Sequence, residues 1–131
     1  MFIDFIVISE VVNRAIKIEY DKYIQKNNFS KNKLSYKKYR DSKEGQNTIN
    51  DVYQIIKNKI VSIFSIKGED FKIDDIENFL QVTLLDFSDK GIEAICKKNN
   101  YILLTHDRDF VNSDLEILSL NKKLREIENF S

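Results

Sequence analysis

An α/β fold with a parallel sheet follows from three features of the sequence. The last third runs helix, strand, turn, strand, and that rhythm leads to parallel pairing. The first half carries long amphipathic helical patterns. The chain has 131 residues, a length that fits one domain. Apolar residues make up 42%, enough for a core. Lys plus Arg and Asp plus Glu stand at 21 each, so the net charge is zero. A whole-chain basic attraction for nucleic acid is thereby excluded, and contact with phosphates needs a local patch. Proline is absent, so helices can run without interruption.

The opening Phe2 to Ile8 is apolar and short. It has neither the basic start nor the small-residue cleavage site of a signal peptide. No apolar run approaches the ~20 residues of a membrane span, so a cytoplasmic protein is expected. From Ile8 the apolar residues Val11, Val12, Ala15 and Ile18 recur at spacings of three and four. They predict one face of a helix running to about Lys26, with Ser9 at or near its cap and Glu10 in its first turn. Asn27 to Asn32 is polar and reads as a loop.

Residues 30–43 are basic, with Lys31, Lys33, Lys37, Lys38, Arg40 and Lys43 set around Tyr36 and Tyr39. Two readings stand side by side. Cations interleaved with aromatics can contact RNA, and the same pattern suits a solvated linker or helix face. A second long helix carries the stripe Ile49, Val52, Tyr53, Ile56, Ile60, Ile63 and Phe64, and Gly68 breaks it. Asp74 to Leu80 predicts a short helix with Asp at its N-terminal end. Gln81 to Leu85 fits a short strand or a loop.

A third long helix opens at Asp86-Phe87-Ser88-Asp89, with Ser88 as a good cap. Ile92, Ile95 and Cys96 line its buried face, and Asn99-Asn100 ends it. Cys96, the one cysteine, has no thiol to pair with and reads as a small core hydrophobe. Tyr101 to Thr105 predicts a buried strand. The acidic turn His106-Asp107-Arg108-Asp109-Phe110 follows, then a strand over Leu115 to Leu120. Residues 121–131 read as a charged tail.

The acids are the candidate chemistry. Glu10, Asp86, Asp89, Asp107 and Asp109 stand at helix starts or just past a strand, and open α/β sheets gather ligands beyond the carboxyl ends of their strands. Crowded carboxylates need a compensating cation, and oxygen-only clusters suit hard ions such as Mg²⁺ or Mn²⁺. Each acid also has a structural explanation: caps and helix dipoles for Asp86 and Asp89, a turn for Asp107 and Asp109, solvent for Glu10.

Three motifs, in order, add to this. Ile8-Ser9-Glu10-Val11-Val12-Asn13-Arg14, then Asp86-Phe87-Ser88-Asp89-Lys90-Gly91-Ile92, then Leu103-Leu104-Thr105-His106-Asp107-Arg108-Asp109-Phe110 together resemble the acidic motifs of PIN domains. The last is the most specific, and the likeness spans residues 3–120. The resemblance implies an α/β/α sandwich around a parallel sheet, with acids converging on Mg²⁺ or Mn²⁺ to cleave RNA. It also implies the toxin type of ribonuclease, held by an antitoxin protein and often a homodimer. Carried over residue by residue, it gives Glu10, Asp89 and Asp107 as catalytic acids. Asp86 competes with Asp89, Asp109 assists, and Thr105 holds the loop or a metal-bound water. The family's first strand and first acid, in an Asp-Thr-Asn-like motif, have no counterpart here, since Asp4 is too close to Glu10 and lies in what resembles the second strand. The expectation is a single PIN-like domain over 1–131 that lacks its first strand, with activity reduced or lost. The alternative expectation is a non-catalytic remnant that binds RNA or protein.

Overall fold

A computed structural model describes residues 1–119. The tail expected over 121–131 lies outside the described residues, as does the last residue of the strand expected over 115–120. The chain forms two compact units, Met1–Lys67 and Gly68 onward, and the boundary falls at the glycine that the sequence marks as a break.

The first unit is helical, with one parallel strand pair. Phe2–Ile3 (β1) pairs with Ser65–Ile66 (β2). Asp4, expected in a strand, instead caps the first helix, and its carboxylate accepts the Val7 N–H at 2.8 Å. The helix α1 therefore starts early and covers Phe5–Lys26, which puts Glu10 in its second turn and not its first. The buried stripe also differs from the expected one. Ile8, Val12, Ile16, Tyr20 and Ile24 recur every four residues and face the core, while Val11 and Ile18 are exposed. A spacing of four advances about 40° per step round a 3.6-residue helix, so the stripe winds round α1, with Ile8, Val12 and Ile16 in one core cluster and Tyr20 and Ile24 in another.

Tyr36–Asp41 (α2) and Lys43–Ile56 (α3) follow, capped by the hydroxyls of Ser35 and Ser42. A π-helical turn over Lys57–Val61 continues α3. Its extra residue per turn rotates later side chains off the stripe. Val52 and Ile56 pack on Ile16 with Ile49 and Ile60 beside them, whereas Tyr53 and Ile63 point outward.

The aromatics of residues 30–43, which could have contacted RNA, pack into the core instead. Tyr39 is 2% exposed, and it packs with Tyr20 and Ile24, with Tyr36 partly buried against the same group. The Tyr20 hydroxyl donates to the Leu34 carbonyl at 2.8 Å, and the Tyr39 hydroxyl meets Thr48 Oγ1 at 3.0 Å. Both phenols thus bury their rings and satisfy their polar ends. Of the two readings of residues 30–43, the lysines keep the solvated one and the tyrosines are claimed by packing.

The second unit holds Ile73–Phe79 (α4), Phe87–Asn99 (α5), Leu103–Leu104 (β3) and Ile117–Leu118 (β4). Residues 81–85 are loop. The strand expected to be buried over Tyr101–Thr105 is shorter and alternates between half-buried and exposed positions. Its pairing with β4 is parallel, as the helix-strand rhythm requires. The two strand pairs are separate two-stranded sheets among the described residues, so the fold is mixed α/β with parallel pairing rather than one continuous sheet.

Candidate metal centre

Helix α5 begins where Asp86 has an extended backbone and its carboxylate accepts the Asp89 N–H at 2.9 Å. Ser88, expected as the cap, lies inside the first turn and donates its hydroxyl to Asp86 at 3.1 Å. An Asp at this position satisfies an orphan N–H and complements the helix dipole. Three residues on, Asp89 sits on the inner side of the first turn and is only 6% exposed. Lys90, next to it, reaches back to the carbonyls of Phe79 and Gln81, which ties the preceding loop to α5.

The second contribution comes from the turn after β3. The Thr105 hydroxyl accepts the Asp107 N–H at 3.1 Å. The Asp107 carboxylate in turn accepts the Asp109 N–H at 2.9 Å and caps a 3₁₀ turn over Arg108–Asn112. Phe110, in that turn, is buried at 3% exposed and anchors it. The Asp-x-Asp spacing therefore does two things: it makes the turn, and it leaves Asp107 and Asp109 side by side. Sequence reasoning attributed the turn and the cluster to competing explanations. The local hydrogen bonds show that one does not exclude the other.

Asp89, Asp107 and Asp109 each offer an oxygen, and these oxygens lie within 4.8 Å of one another. Oxygens on opposite sides of one magnesium ion are about 4.2 Å apart, twice a ligand distance of ~2.1 Å. Only one pair among three such ligands can be opposite, and adjacent ones are about 3.0 Å apart, so the cluster shares an ion after the side chains close by up to about 1–2 Å or with a bridging water.

Comparison with protein-family models finds no match, and comparisons with curated proteins and with solved structures find none either. What the cluster can do follows from its own atoms. All three donors are carboxylates, two exposed and one buried, which is a hard-ion donor set. Exposure of Asp107 and Asp109 leaves room for waters and for a phosphate on the ion, the arrangement magnesium favours. Of the five acids singled out in the sequence, these three come together. Asp86 is outside the group and serves as the cap of α5. Glu10 stands exposed on α1, in the first unit. The capping role of Asp107 was not expected; its sequence signal is an acid two residues before another at a strand exit.

No helix among the described residues is long and apolar enough to cross a membrane. Cys96 is buried, in keeping with its reading as a core residue.

Proposed function

We propose that this protein is a PIN-like, metal-dependent endoribonuclease of the toxin type. The observation that carries the reading is the convergence of Asp89, Asp107 and Asp109 within 4.8 Å. Support comes also from the order of the three motifs and from the parallel pairing of β3 with β4, which sets the acidic turn at the carboxyl end of a strand. Asp89 and Asp107 hold Mg²⁺ or Mn²⁺ with help from Asp109. Thr105 fixes the turn that presents Asp107. With such an ion bound, the chemistry supplied is activation of a water and neutralisation of charge on the leaving oxygen of an RNA phosphodiester. In this reading the fold is an α/β/α sandwich, the setting is the cytoplasm, and an antitoxin protein and a second copy of the chain are partners.

The test is cleavage of single-stranded RNA by the purified chain. Turnover is expected with Mg²⁺ or Mn²⁺ and not with EDTA. Asp107→Asn and Asp89→Asn each reduce it by about 100-fold or more, the scale of losing a positioned catalytic group. Cleavage that survives EDTA or Asp107→Asn overturns the reading. RNA or protein binding without metal-dependent turnover points instead to a non-catalytic module.

A further inference from the structure

The first unit carries a cleft of about 710 Å³ between α1, α2 and α3. Its size falls within the ~300–1,000 Å³ of small-ligand sites. Val12, Ile16 and Ile49 give it an apolar floor, and no carboxylate is among its lining residues. Three cations line it. Lys17 is already engaged, 3.7 Å from Asp21 and 4.6 Å from the centre of the Tyr20 ring. Arg40 contacts Asp41 through Nε at 3.4 Å, and its terminal nitrogens make no hydrogen bond among the described residues. Arg14 is exposed and has no ion-pair partner among the described residues.

One aromatic in the cleft is equally unengaged. Tyr20, Tyr23, Phe29, Tyr36 and Tyr39 make ring contacts with one another in this unit. Tyr53 lines the cleft, is 54% exposed and pairs with no other ring among the described residues. The cleft thus offers an open aromatic face and two guanidinium groups, that of Arg40 touching Asp41 through Nε alone and that of Arg14 without an ion-pair partner among the described residues, and no carboxylate in the lining. A flat ring stacks on such a face, and a phosphate matches the planar fork of an arginine. At 1.5 Å per residue the α1 wall, from Val12 to Ile18, is about 9 Å long and the α3 wall, from Ile49 to Tyr53, about 6 Å, both shorter than the ~10 Å over which a bound helix spreads its i to i+7 anchors.

We infer that the cleft between α1, α2 and α3 is a nucleotide-binding site, with Tyr53 stacking on the base and Arg14 and Arg40 holding the phosphate. The nucleotide is either free or one residue of a single-stranded RNA. The inference does not rest on the metal centre, so it is tested with EDTA present.

Calorimetric titration of the full chain uses three probes: adenosine monophosphate, a six-residue oligoadenylate and ribose 5-phosphate. The nucleotide or the oligomer is expected to bind, and ribose 5-phosphate about 10-fold more weakly or worse, since it lacks the stacking ring. Tyr53→Leu and Arg14→Gln each weaken binding by about 10-fold, the lower end of what one stack or one charged contact supplies. Lys37→Gln, on the exposed side of α2, leaves it within about 2-fold, as loss of one distant charge does. Tight binding of the mononucleotide identifies a free nucleotide as the ligand; binding of the oligomer alone identifies RNA. The inference is overturned if neither binds, if ribose 5-phosphate binds as well as the nucleotide, or if Lys37→Gln costs as much as Arg14→Gln. It is overturned equally if variants with wild-type circular dichroism bind unchanged.

Discussion

Gly45, in the first turn of α3, shows how a single residue sets the packing of the first unit. A Cβ added there would lie 1.8 Å from the Tyr39 carbonyl oxygen and 2.7 Å from its carbon, and backbone atoms cannot swing aside as a side-chain tip can. The close approach lets α2 turn into α3 through Ser42, whose hydroxyl donates to the Tyr39 carbonyl at 2.6 Å and accepts the Gly45 N–H at 3.1 Å. Gly45→Ala is therefore expected to destabilise the chain by about 2 kcal/mol or more, the cost of forcing atoms into a full site. Urea unfolding checks this, and an unchanged midpoint would show that α2 is not held against α3 in this way. At the same scale, Asp107 combines two roles. One oxygen fixes the 3₁₀ turn through the Asp109 N–H, and the carboxylate still stands in the acidic group. A loop side chain held by its own turn is pre-positioned without help from distant residues.

At the scale of elements, α4 and α5 are joined through Asp75. Its carboxylate accepts the Lys72 N–H at 2.9 Å and pairs with Lys98 Nζ at 2.9 Å. The backbone N–H of Lys72 and, after it, the Lys98 ammonium hold the Asp75 carboxyl below its ordinary value of 3.8. A carboxyl with a depressed pKa in the folded state stabilises that state above its unfolded pKa. The contribution is lost as pH falls from 3.8 through the folded value. Asp75→Asn should lower stability near neutral pH and flatten the acid limb of the profile. Chemical denaturation from about pH 7 to about pH 2 reads both effects. A variant whose acid limb matches the wild type would show that the pair is dispensable. The effect should shrink with added salt, since the groups are solvent-accessible.

At the scale of the whole molecule, the acids of the proposed metal centre, Asp89, Asp107 and Asp109, all belong to the second unit. Ion binding to the three-acid group should stabilise the second unit directly. At about one hundred times its Kd, a cation that binds only the folded state adds ~2.7 kcal/mol. Thermal unfolding followed by far-ultraviolet circular dichroism should shift upward with Mn²⁺, and Asp109→Asn should reduce the shift. Near-ultraviolet signals add a location. Of the six tyrosines, Tyr20, Tyr23, Tyr36, Tyr39 and Tyr53 lie in the first unit and Tyr101 in the second. A shift seen in the far-ultraviolet but not in the tyrosine band would assign the ion to the second unit alone. No shift at any Mn²⁺ concentration would remove the cation from the proposal.

Much of this organisation was legible in the chain. The end of α1 at Lys26, the break at Gly68, the short acidic helix α4 and the stop of α5 at Asn100 all follow from local chemistry. Polar runs, a glycine, first-turn aspartates and an asparagine with φ of 54° act over a few residues, so they can be read without the fold. The acidic turn was legible for the same reason. Less visible were the start of α1, because Asp4 reads as part of an apolar strand until its carboxylate is seen to cap, and the inward face of α1, because five apolar positions offered more than one stripe. Tyr36 and Tyr39 were ambiguous in kind: the pattern of cations and aromatics is identical whether the rings face solvent or a core. Only Tyr20, Ile24 and Gly45, up to nineteen residues away, decide it. The sequence by itself determined which residues begin and end most helices, and which acids share the turn after β3. The tertiary structure alone decided that Asp89 joins that turn while Asp86 caps α5, since burial and convergence depend on elements that no local pattern brings together.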